Sequence, residues 1–252
     1  MFQRLKKALG AIKAPNTAFT ADGDDLLASN TDTCDGAGTP ALSQLNSQDG
    51  QSTVWRKNSA VSFGIQGKLS DKPWKLERAV ASRNYMSGEE IRGRADIAIN
   101  PQANIVIMNT PLKELLEKRA YALYTDSVET HASPTLMEEM RWLALYPEVG
   151  WEKLPVPFWR RYAVMASDRA QAISWVTPEL ADLLTSWPDS ATDANVPFIL
   201  MVMRGKAHLR MQLTPANEKT LDHVSRVFLA AAQSAIDVFS NDARESAELL
   251  KK

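Results

Sequence analysis

Residues 91–111 read IRGRADIAINPQANIVIMNTP, and this stretch decides the fold class. Ile91, Gly93, Ala95, Ile97 and Ile99 alternate with Arg92, Arg94 and Asp96. A period of two marks a strand that buries one face and wets the other. Asn100-Pro101-Gln102 breaks the pattern, and the apolar run from Ile105 to Met108 starts a second strand. Thr110-Pro111 then opens a helix, because a hydroxyl at the N-cap satisfies an orphan amide and a proline at the first helical position has no amide to lose.

The same grammar extends in both directions. Upstream, Val61, Phe63 and Ile65 alternate, Ser70-Asp71-Lys72-Pro73 supplies a turn, and Trp74, Leu76 and Val80 alternate again, which predicts a hairpin within a meander. Downstream, Ser133-Pro134, Thr177-Pro178 and Thr214-Pro215 repeat the helix-start pair. The helices carry apolar faces of Leu112, Leu115, Leu116 and Leu123, then Met137, Met140, Leu143 and Ala144, then Leu180, Leu183 and Leu184. Residues 158–166 and 198–203 read as strands, the second a continuous apolar run suited to the middle of a sheet, and 207–213 alternates. Arg204-Gly205-Lys206 joins the last two as a tight hairpin, and a helix over about 216–240 carries Leu221, Val224, Phe228, Ala231, Ala235 and Val238. These elements predict an α+β fold: a mostly antiparallel sheet of about seven strands with about four helices packed on one face and the other face open. A division into two subdomains near residue 150 is the alternative.

The chain has 252 residues, and its charge is unevenly spread. Residues 1–13, MFQRLKKALGAIK, form a basic amphipathic helix with Phe2, Leu5, Leu9 and Ile12 on one side. Residues 14–52 contain six aspartates and no lysine or arginine, the composition of an acidic disordered linker. A single folded domain is expected over 53–240, with a charged tail at 241–252. With a net charge of −1 overall, four positive charges in the first segment and six negative in the second leave the remainder at +1, so nucleic acid is not the expected partner. Cys34 is the only cysteine and no apolar run approaches a membrane span, which suits a cytoplasmic protein.

Catalytic signatures are missing: there is no phosphate-binding glycine loop, HExxH or GxSxG. His131, His208 and His223 are scattered, so neither a metal nor another cofactor is expected. Glu89-Glu90 and Glu138-Glu139 read as surface charges. The candidate ligand surface is the polar face shared by Arg92, Arg94 and Asp96 with His208, Arg210 and Gln212, provided the two strands lie in one open sheet. A solvated face laced by cross-strand pairs is the plainer reading. Four of the seven tryptophans, Trp142, Trp151, Trp159 and Trp175, fall close together. Trp142, Trp151 and Trp159 are candidate partner anchors alongside Phe2, Leu5 and Leu9, although such residues also fill cores.

Three stretches, RNYMSGEEIRGRADI, MEEMRWLALYPEVGW and VPFWRRYAVMA, give residues 60–240 a resemblance to conserved bacterial proteins of no known activity. The resemblance implies a bacterial origin and transfers no functional residue. The expected function is a non-enzymatic protein-interaction module, an adaptor or scaffold tethered through its N-terminal segment. The alternatives are a protein or enzyme that takes a small anionic or phosphorylated ligand on the arginine and histidine face, and a protein held at a membrane surface by residues 1–13.

Overall fold

The computed structural model describes residues 53–56, 63–126, 137–188, 195–213 and 218–249. The segments 1–13 and 14–52 and the pairs Ser133-Pro134 and Thr214-Pro215 lie outside the described residues.

Among the described residues nine strands form one sheet: β1 (Thr53–Arg56), β2 (Phe63–Leu69), β3 (Lys72–Val80), β4 (Glu89–Asp96), β5 (Ile105–Asn109), β6 (Glu148–Val149), β7 (Tyr162–Ala166), β8 (Phe198–Met203) and β9 (Lys206–Leu213). Their order across the sheet is β1-β2-β3-β4-β9-β8-β5-β7-β6, and every neighbouring pair is antiparallel. The α+β class expected from the sequence holds. The six described helices are α1 (Thr110–Asp126), α2 (Glu138–Leu145), α3 (Val156–Arg161), α4 (Arg169–Trp175), α5 (Pro178–Thr185) and α6 (Glu218–Leu249). The last continues into the stretch expected to be a charged tail. Among the described residues no helix is long and apolar enough to cross a membrane.

Local chemistry explains the turns and caps. Ser70 and Asp71, and again Arg204 and Gly205, have positive φ at the two central positions of their hairpins, the twist that a two-residue link between antiparallel strands requires. Thr177 Oγ1 accepts from the amide of Leu180 at the start of α5, as the Thr-Pro pair predicted. The segment 158–161 was expected to be strand and is the end of α3. Pro155 is the extended N-cap and Pro157 sits in the first turn, where its missing amide costs nothing, and Phe158 drops into the core from that turn.

Helices cover both faces of the sheet, not one. On one face α6, with α3, α4 and α5, packs over the large core that includes Leu200, Val202, Leu209 and Met211. Gly93 of β4 makes this approach possible, since a Cβ there would lie 2.9 Å from the Phe228 ring on α6. On the other face α1 and α2 cover β5, β7 and β8, with Leu112, Leu116, Met140 and Leu143 against Val106, Met108, Met165 and Ile199. Strands buried on both sides cannot alternate. Accordingly β5 (IVIMN) and β7 (YAVMA) are buried at every position, whereas β9 (KAHLRMQL) alternates strictly. The half of the second face formed by β3, β4 and β9 therefore stays polar, beside the layer made by α1 and α2.

Candidate functional site

The antiparallel register of β4 and β9 places Arg92 opposite Arg210, Arg94 opposite His208, Asp96 opposite Lys206 and Glu90 opposite Gln212. All six residues proposed for the ligand face are thus brought together on neighbouring strands. β3 continues the rows, with Lys75 opposite Arg94 and Glu77 opposite Arg92. Two arginines directly opposed across strands repel each other unless a carboxylate serves both.

Glu90 is that carboxylate, and it is fully buried, not the surface charge its sequence context suggested. Its Oε2 lies 3.5 Å from Nη1 of Arg210, and its Oε1 lies 3.5 Å from Nε of Arg92 and accepts from the Ser82 hydroxyl at 2.8 Å. Arg92 also reaches Glu77 at 3.1 Å, and Lys75 reaches the other oxygen of Glu77 at 3.5 Å.

Residues 81–88, which link β3 to β4, fold toward the helical layer and wall the polar face. Ala81 N donates to Gly88 O, Ser87 N donates to Gln212 Oε1, and Tyr85 and Met86 are buried with α1 and α2. Glu139 on α2 is the second buried carboxylate that the sequence reading took for a surface charge. Its Oε1 accepts from Arg83 Nε at 2.7 Å and from the Tyr85 hydroxyl at 2.9 Å. Burial, together with the neighbouring Glu139 charge, pushes the Tyr85 phenol far above its ordinary range, so it stays a hydrogen-bond donor.

The charge balance at the surface differs from the simple count. Glu90 is inaccessible and the Glu77 side chain is 19% exposed, whereas those of Lys75 and Arg92 are 48% and 37% exposed. Glu90 lies beneath the arginines, and in these rows the five cations Lys75, Arg92, Arg94, Lys206 and Arg210 outnumber the three carboxylates Glu77, Glu90 and Asp96, so the face carries net positive charge. Grouped cations of this kind attract anions, and added salt screens the attraction.

Burial holds His208 well below an ordinary histidine, at about 4, and the facing cations Arg94, Lys206, Arg210 and Arg204 add to the effect. It is neutral at pH 7 and a weak base there, far from the range that suits proton transfer at that pH. An unfolded-chain histidine titrates near 6.5, so on acidification the unfolded state takes up the proton first. The folded state is then expected to lose stability as the pH falls below about 6.5, with the loss levelling off below about pH 4 and on the order of 3 kcal/mol. Urea unfolding at pH 7 and at pH 4.5 should show a smaller acid loss in His208→Gln than in the native chain. Equal losses in the two chains would contradict the assignment.

The tryptophan candidates separate. Trp142 is buried in the core under α1 and α2, because the apolar face of α2 points at the sheet, and it is therefore no docking anchor. Trp151 and Trp159 are partly buried and pack edge to face with centroids 5.0 Å apart. Trp151, with Arg169 and Ile173, lines a shallow, open depression on a different part of the molecule from the β3–β4–β9 face. Phe2, Leu5 and Leu9 lie outside the described residues. Sequence reasoning missed Glu90, Glu139, Ser82 and Tyr85. Glu90 had one visible signal, since it shares the period of Arg92 and Arg94 in β4. Among the described residues no group of three or more histidine, cysteine, aspartate or glutamate side chains could hold a metal ion. No protein-family model matches the chain, and neither a curated protein nor a solved structure matches it.

Proposed function

We propose that the domain is a non-enzymatic binding module that receives an acidic protein segment on the polar half of its sheet formed by β3, β4 and β9. The observation that carries this reading is the juxtaposition of Arg92 with Arg210 and of Arg94 with His208, flanked by Lys75 and Lys206, over the fully buried carboxylate of Glu90. The cationic groups are spread over three strands and several rows. That spread suits an extended chain carrying several carboxylates better than one compact anion, which needs donors converging on a single point in a concave site. The weak basicity of His208 also favours a surface that binds over one that moves protons.

A fluorescently labelled polyglutamate peptide is the probe for this reading. Binding to the full chain should weaken steeply with added salt, and the pair Arg94→Gln and Lys206→Gln should weaken it about 10-fold at low ionic strength. These two side chains are chosen because they sit four and six register positions along the strands from Glu90, away from its contacts with Ser82, Arg92 and Arg210. A circular dichroism melt of the variant checks that it folds. An affinity that the two substitutions leave unchanged would remove this face as the binding site.

A further inference from the structure

Resting on the binding face proposed above, we propose that the acidic segment of residues 14–52 is an occupant of that face within the same chain, so that a partner must displace it. The first support is charge complementarity. The segment carries Asp22, Asp24, Asp25, Asp32, Asp35 and Asp49 with no lysine, arginine or glutamate, while the face presents Lys75, Arg92, Arg94 and Lys206.

The second support is the place where the segment joins the fold. Thr53, the first residue of β1, pairs with Gln66, Gln66 with Lys75, Lys75 with Arg94, and Arg94 with His208. The row of residues that crosses the sheet from the point of attachment is therefore the cationic row itself. β1 runs in the direction that leaves its N-terminal end nearest the Lys68 and Lys206 end of the sheet. From β1 to β9 is four strand spacings of about 4.8 Å, or roughly 19 Å, which about six residues of extended chain span.

Tethering also supplies concentration. A segment attached this close meets its site at an effective concentration around the millimolar range, so contacts too weak to hold a free peptide can compete when linked. The consequence is a threshold. An acidic partner binds the native chain less tightly than the bare face would allow, and salt weakens partner and segment alike.

The test uses the full chain throughout. Carbodiimide joins a carboxylate directly to an amine, so at about 10 mM salt, where screening extends roughly 30 Å, it should link aspartates of residues 14–52 to Lys75 or Lys206 in preference to Lys118, Lys153 and Lys219. The links should disappear near 1 M salt, where screening falls to about 3 Å. In a mixture of isotopically light and heavy chains they should join residues of the same chain. In parallel, the labelled polyglutamate peptide should bind about 10-fold more tightly to a chain with all six aspartates changed to asparagine than to the native chain. Equal binding by the two chains, links spread evenly over the lysines, or links between light and heavy chains would overturn docking within the chain and leave the basic face standing. Failure of the six-asparagine chain to bind the peptide at about 10 mM salt would overturn the face itself, and this inference with it.

Discussion

Glu90→Ala is expected to lower the free energy of unfolding by about 3 kcal/mol, read by urea denaturation at pH 7. The side chain is fully buried, yet it holds Arg92 and Arg210 on opposite sides and accepts from both the hydroxyl and the amide of Ser82. Its removal leaves two guanidinium groups facing each other across β4 and β9 with no carboxylate between them, and it strands the Ser82 donors that hold the 81–88 link to the sheet. Breaking a buried pair costs about 3–5 kcal/mol, and the lower end applies here because the Arg92 side chain, 37% exposed, can turn to water. Glu90→Gln keeps the acceptor for Ser82 and should cost about half as much. The same alanine substitution takes a negative charge out from under the cationic face, so the chain that remains folded should bind an acidic probe more tightly. A loss of stability below about 1 kcal/mol would mean that the arginines are solvated without the carboxylate, and that the network does not shape the face.

The difference between what could be read and what could not lies in the range of the interactions. β8 and β9 were legible because a continuous run next to a strict alternation, joined by Arg204-Gly205, is a local pattern with one sensible structure. α5 was legible because Thr177 and Pro178 act within one turn. The grouping of Arg92 with Arg210 follows from period two in each strand once β4 and β9 are neighbours, but their pairing joins residues more than a hundred positions apart and no local signal announces it. Burial of Glu90 and Glu139 is harder still. Both sit in polar sequence, and they become inaccessible only because residues 81–88 fold back between the sheet and α2. The second helical layer was latent in the sequence: β5 is apolar at four successive positions, which a sheet open on one face does not need.

Trp175→Ala is expected to cost about 4 kcal/mol, within the range for removing a large aromatic side chain from a packed core. Trp175 is among the largest fully buried side chains. It closes α4, and its indole Nε1 donates to the carbonyl of Ala231 on α6 at 2.9 Å, while its own carbonyl accepts from Ser234 Oγ at 2.8 Å. One residue thus fastens the short α4 to the long helix whose Phe228 lies against Gly93 on the sheet. Alanine removes the packing and the indole donor to Ala231 while the backbone carbonyl that accepts from Ser234 remains, and Trp175→Phe, which keeps an aromatic ring but not the donor, should cost about 2 kcal/mol. α4 and α6 cover the face opposite Arg92, Arg94 and Arg210, so this loss should come without a change in affinity for the polyglutamate probe when measured well below the unfolding midpoint. Urea curves and probe binding on the same two variants separate the roles of the two faces. If Trp175→Ala weakened probe binding as strongly as Arg94→Gln with Lys206→Gln, the basic face would not be an independent surface, and its apparent recognition would be a consequence of global stability.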